Sequence, residues 1–256
     1  MSACQRARGG GKQGLRNLED ILRKQSFGFV CRTDIRGYYR HIDKDILFRQ
    51  LQRHVRSPAL LNLLRQFLHY SVEDGGTFHT PEKGIPRACA LSPLLAAFHL
   101  YETDSAFERQ LGIRYIRYMD DFLIFTRTRW QLRRAVKLLN VHFAKYGFEQ
   151  HPDKTFIGRT EKGFDWLGLW FTDKGATGVA PRAVNNFLTK LRRLYEQTRN
   201  QPARTQAERV AGYLRRWLSW VGGNVPATPG VNLTSGRGSG CTQRAAPQPV
   251  SLPVEH

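Results

Sequence analysis

The chain has 256 residues, 41% apolar and 11% aromatic, enough to bury the core of one large domain or two small ones. Forty Lys and Arg against 21 Asp and Glu give a formal charge of +19, which points to a polyanionic partner, nucleic acid ahead of an anionic membrane surface. A run of about eighteen apolar residues, or the apolar stretch of a secretory signal, is nowhere found, so a membrane protein is not expected and a cytoplasmic one is. Cys4, Cys31, Cys89 and Cys241 show no C-x-x-C spacing, which speaks against a zinc knuckle or a disulfide framework.

In chain order, residues 1–14 combine cations with glycine and little to bury, and read as a disordered basic arm, with order beginning near Leu15. The run FGFVCRT reads as a buried strand ending at Asp34. Helices open at Asp43 and at Ser57, the latter with Pro58 in its first turn, because each has a capping residue ahead of apolar periodicity. VEDGGTF predicts a turn between strands. Ser92 and Pro93 repeat the Ser-Pro opening and start a helix expected to run to about Gly112. IRYIRYMDDFLIFTRT reads as a hairpin with its carboxylates at the tip, followed by a helix ended by Gly147 and a strand pair around TFIGRTEKGFDWLGLWF.

The order β, α, α, β, β, α, β suits an α+β, ferredoxin-like antiparallel sheet with helices on one face, over residues 15–180. Residues 181–221 read as a basic helical segment; nine basic and two acidic residues lie between Arg182 and Arg216, as expected of a grip on a phosphate backbone. Residues 222–256 turn to Gly, Pro, Thr and Ser and read as a disordered tail.

Adjacent aspartates at a turn are ordinary, since Asp bonds its own backbone there. The hairpin around Asp120 and Asp121 is otherwise strongly apolar, however, and neighbouring carboxylates in such a setting repel unless a cation compensates. Mg²⁺, hard and oxygen-seeking, is the natural candidate.

YMDD within IRYIRYMDDFLIF resembles the Y-x-D-D signature of reverse transcriptases, and TDIRGYYRHID resembles the strand-end motif bearing their other catalytic aspartate. GIPRACALSPLLAAFHLYETD is similar to their template and nucleotide segment, and HPDKT and GFDWLGLWF to their lysine motif and primer-grip hairpin. The resemblance spans about residues 28–171 and is nearest in flavour to the bacterial group II intron and retron branch. It implies a polymerase palm followed by a thumb-like module, working as an RNA-directed DNA polymerase by two-metal phosphoryl transfer with two Mg²⁺ ions, or Mn²⁺ in their place. Its partners would be an RNA template, a DNA or RNA primer and deoxynucleoside triphosphates; nothing specifies an oligomeric state.

By the same resemblance, Asp34 and Asp120 would bridge the ions, Asp121 would be the third carboxylate, and the carbonyl of Ile35 would bind the nucleotide-associated ion. Tyr39 would crowd the sugar 2′ position, Lys154 would steady the triphosphate or protonate pyrophosphate, and Gly84, Pro86 and Arg87 would line the template and nucleotide. Arg117 is a possible phosphate contact, whereas His99, His142 and His151 read as surface or core histidines. Two departures stand out. Arg87, Ala88 and Cys89 replace the Gln, Gly and small polar residue usual after the proline, and only 33 residues precede Asp34, fewer than a fingers region. The alternative expectation is therefore a truncated, catalytically inactive palm that binds RNA or an RNA/DNA duplex.

Overall fold

The computed structural model describes residues 10–87 and 89–225. Residues 1–9 of the expected arm, Ala88, and residues 226–256 of the expected tail lie outside them. Helix α1 (Gly10–Lys24) starts ahead of the expected onset of order at Leu15, and buries Leu15, Leu18 and Leu22. Their i, i+3, i+7 spacing makes one apolar stripe, which draws the last residues of the basic arm into a helix.

Strand β1 (Phe29–Asp34) leads through the short helix α2 (Tyr38–His41) to α3 (Lys44–Gln52) and α4 (Pro58–Leu68). Both anticipated caps form: Asp43 accepts from Ile46 N at 2.9 Å, and Ser57 from Leu60 N at 3.4 Å. Strands β2 (Val72–Asp74) and β3 (Thr77–His79) make a hairpin turned by Gly75 and Gly76, at φ 61° and 89°.

The helix expected from Ser92 to about Gly112 is two helices, α5 (Ser92–His99) and α6 (Tyr101–Glu108), interrupted at the buried Leu100. Ser92 lies inside α5 rather than capping it, with its Oγ buried and unpaired. Strands β4 (Ile113–Tyr118) and β5 (Asp121–Thr126) precede α7 (Arg129–Tyr146), which opens on a Thr128–Gln131 capping box and closes on Gly147 at φ 69°. Strands β6 (Phe156–Arg159), β7 (Phe164–Trp166), β8 (Leu169–Thr172) and β9 (Gly175–Val179) follow, then α8 (Pro181–Gln197) and α9 (Ala203–Gly222).

The central sheet runs β4-β5-β1-β6 with every pair antiparallel, which is the ferredoxin-like arrangement of the expected α+β fold. Its faces follow the two-residue period of a strand. Cys31, Phe122 and Ile124 point into a core built with α3 to α7, whereas Val30, Leu123 and Phe125 point into a second core. Helix α1 and the β7-β8-β9 sheet close that second core with Leu18, Phe164, Trp166 and Phe171. Helices α3 to α7 cover one face of the sheet as expected, and the other face carries a cover of its own. A strand as continuously apolar as β5 needs cover on both sides, and a small sheet with one helix supplies it.

Helices α8 and α9 bury no residue completely and are joined by stacked rings, Phe187 with Tyr213 at 5.4 Å and with Trp217 at 4.2 Å. Among the described residues no helix is long and apolar enough to cross a membrane.

Candidate active site

Asp34 ends β1, Asp121 begins β5, and the two face each other directly in the strand register. Tyr118 pairs with Asp121, so Met119 and Asp120 form a two-residue turn. Met119 sits at φ 57°, a left-handed conformation costing a non-glycine residue on the order of 1 kcal/mol. Two bonds hold this turn: Ile35 N donates to Asp120 O at 3.2 Å, and Arg117 Nη1 donates to Met119 O at 2.8 Å.

Arg117 is itself buried against Asp104, donating from Nε to Oδ1 at 2.7 Å and from Nη2 to Oδ2, and Tyr115 OH donates to the same Asp104 Oδ1 at 2.7 Å. Burial disfavours its charge, but the bonds and charge of Asp104 outweigh that and raise the Arg117 pKa. Arg117 is thus a brace beneath the turn rather than a phosphate contact. Asp104, on α6, carried no local signal of its pairing.

Alternation along β1 puts Arg32 on the same face as Asp34. Arg32 Nη2 lies 3.0 Å from Asp121 Oδ1 and 3.8 Å from Asp165 Oδ2 on β7, while Nη1 donates to the Lys154 carbonyl. Lys154 Nζ donates to Asp34 Oδ2 at 2.8 Å. A 3₁₀ turn, Pro152–Lys154, presents this lysine, anchored by His151 N to Asp34 O at 2.8 Å and by the Thr33 and Thr155 hydroxyls 2.7 Å apart. Burial, then the charge of Asp34, raises the Asp120 pKa. Burial pushes the Asp121 carboxyl up to about 7, opposed by Arg32 and reinforced by Asp34 and Asp120.

Tyr39, half-buried, sets its ring edge-on to Tyr38 at 5.7 Å, and burial and then the charge of Asp120 raise its pKa. Its carbonyl accepts from Ile85 N at 3.0 Å, and Gly84 N donates to Ile42 O at 2.8 Å. Gly84 has φ +89°, and a Cβ there would stand 2.9 Å from Arg40 O and 3.0 Å from Tyr39 O. The glycine is thus needed for contact with the chain's own backbone. Pro86 is partly exposed and Arg87 exposed, and the Ile35 side chain is fully buried. Of the remaining histidines, His99 lies in the core with Nδ1 2.7 Å from Gln50 Oε1, and His142 Nδ1 lies 3.3 Å from Thr103 Oγ1.

The structure therefore gathers Asp34, Asp120, Asp121, Lys154 and Tyr39 at one end of the sheet, and adds Arg32 and Asp165. The signal for Arg32 was its place two residues before Asp34; nothing local marked Asp165. Among the described residues no three His, Cys, Asp or Glu side chains converge closely enough to enclose a metal ion. The donor set nevertheless suits a hard cation. Four carboxylates, Asp34, Asp120, Asp121 and Asp165, meet two cations, Lys154 and Arg32, which leaves two negative charges uncompensated. An open arrangement also fits Mg²⁺, which is commonly held by one or two carboxylates with water and substrate phosphates completing its shell.

A family model described as reverse transcriptase (RNA-dependent DNA polymerase) matches residues 11–171, more than half of the chain. The chain belongs to the reverse transcriptase family. No curated protein sequence matches it. Among solved structures, this reverse transcriptase fold is similar to telomerase from Candida albicans in complex with a fragment of telomeric RNA, with a TM-score of 0.55 at 14% identity over 85% of this chain and 43% of that one. Telomerase from Candida tropicalis, likewise with a telomeric RNA fragment, gives a TM-score of 0.52 at 13% identity over 82% and 41%. A C-terminally truncated telomerase from the same organism gives 0.51 at 17% identity over 62% and 37%. The chain spans less than half the length of these telomerases, and at such identities the likeness is one of fold.

Proposed function

We propose that the chain is an RNA-directed DNA polymerase that extends a primer with deoxynucleotides by two-metal phosphoryl transfer. The observation that carries this reading is the direct pairing of Asp34 with Asp121 beside Asp120 in a partly buried setting of unbalanced negative charge. Asp34, Asp120 and Asp121 would hold magnesium, with the Ile35 carbonyl as a further donor. The ions supply activation of the primer hydroxyl and neutralisation of charge on the leaving pyrophosphate.

The chain's own residues do the rest. Strand register and the Ile35–Asp120 bond orient the carboxylates before substrate arrives, so little reorganisation is left for the reaction itself. Tyr39, fastened through its carbonyl to Ile85 N, presents a rigid aromatic wall for the sugar 2′ position. Pro86 and Arg87 continue that segment toward template and nucleotide, and Lys154 is placed to meet a triphosphate. Residues 15–180 act as palm, and α8 with α9 as a thumb-like grip on the template–primer backbone. The ordered motifs from TDIRGYYRHID to GFDWLGLWF support the bacterial group II intron and retron-like branch, and a cytoplasmic setting is part of the same proposal.

The test is primer extension on an RNA template with Mg²⁺ and deoxynucleotides. Asp120→Asn should lower extension by roughly a hundredfold or more while duplex binding persists. Unchanged extension would overturn the assignment, and salt-sensitive RNA binding without any incorporation by the wild type would identify a binding palm instead.

A further inference from the structure

The carboxylates meet two basic side chains of very different character. The Arg32 side chain is 6% exposed, and its guanidinium reaches Asp121, Asp165 and the Lys154 carbonyl together. It joins both sheets, since Arg32 and Asp121 lie on β1 and β5 whereas Asp165 lies on β7. Withdrawing it would strand partly buried charges on both sides, and the planar fork keeps its bonds at small entropic cost. The Lys154 side chain is 31% exposed, and its ammonium contact is Asp34. A compact ammonium on a flexible stem returns to water cheaply.

We propose that Arg32 is a positioning residue that keeps Asp121 as its permanent counter-ion, so that Asp34 and Asp120 receive the divalent cation and Lys154 is the exchangeable charge that gives way to it. This rests on the polymerase reading and revises its ligand set, because Asp121 then buttresses the site from the Arg32 side instead of holding an ion. Asp34 and Asp120 are adjacent through the Ile35–Asp120 backbone bond, whereas Asp121 already has a buried partner at 3.0 Å. A divalent ion competing for Asp121 would have to break that pair, but one arriving at Asp34 need displace only Lys154.

The inference is tested on the full chain without nucleic acid, with Mn²⁺ as the probe, its free signal followed by electron paramagnetic resonance and thermal unfolding recorded in parallel. Lys154→Gln should tighten Mn²⁺ binding about fivefold by removing the competing cation. Asp120→Asn should abolish binding in the millimolar range. Asp121→Asn should lower the melting temperature yet leave Mn²⁺ affinity within about twofold. Arg32→Lys, which keeps the charge, should also retain the affinity. A role for Arg32 in packing alone would move melting temperatures without the contrast between Asp120→Asn and Asp121→Asn. Loss of binding in Asp121→Asn equal to that in Asp120→Asn, an affinity unchanged or weakened in Lys154→Gln, or no Mn²⁺ binding by the wild type would each overturn the proposal. Primer extension separates the two ideas: if Asp120→Asn extends normally the polymerase reading fails, and if it does not while Asp121→Asn loses Mn²⁺, this inference alone fails.

Discussion

The carbonyl of Tyr39 accepts a hydrogen bond from the backbone N–H of Ile85 at 3.0 Å, so the G-I-P segment and the aromatic beside the carboxylates share one backbone junction. Gly84 makes the junction possible. In Gly84→Ala the new Cβ would stand 2.9 Å from Arg40 O with φ held at +89°. The backbone has no room to yield, so stability should fall by roughly 1–3 kcal/mol, measured by urea unfolding. Extension should fall with it through a raised deoxynucleotide KM, because the displaced peptide belongs to Tyr39.

Tyr39 itself should govern the choice of sugar. Tyr39→Ala removes the wall and should bring ribonucleotide incorporation closer to deoxynucleotide incorporation, by about 10- to 100-fold in the ratio of kcat/KM values. An unchanged ratio in single-nucleotide extension would assign the ring to packing against Tyr38.

The brace under the turn is a buried ion pair, and removing one partner strands the other. Asp104→Ala leaves the Arg117 guanidinium without its carboxylate in a site where both side chains are almost fully buried. Breaking such a pair costs roughly 3–5 kcal/mol, to be read from chemical denaturation. The turn at Met119 loses its support as well, so extension should fall in whatever fraction stays folded.

His99 makes stability depend on pH. Burial pushes its pKa down to about 4 from an ordinary 6.5. Between those values the unfolded chain binds a proton that the folded chain does not, so stability is lost as pH falls through this window and is complete above it. The lost contribution amounts to roughly 3 kcal/mol at full extent. The difference in urea midpoints between the wild type and His99→Gln should show it from pH 7 to pH 4, because Asp121 titrates over the same range with the opposite sign.

Much of the fold was legible because its signals are local. Asp43 and Ser57 cap helices by bonding N–H groups three residues away, Gly147 ends α7 by its own backbone freedom, and the apolar runs of β1 and β5 announce buried strands. The neighbouring aspartates were legible for the same reason, since adjacency along the chain already implies repulsion. The break at Leu100, the cover given to the second face of the sheet by α1 and β7 to β9, and the helical start at Gly10 were not, because each depends on surfaces that meet only after folding.

The site divides along the same line. Residue order alone placed Asp34 at a strand end and Asp120 with Asp121 at a hairpin tip, as local backbone preference and charge require. Tertiary structure alone decided which cation answers which carboxylate. Arg32 reaches Asp121 across 89 positions of sequence and Lys154 reaches Asp34 across 120, pairings set by strand register and burial rather than by neighbouring residues.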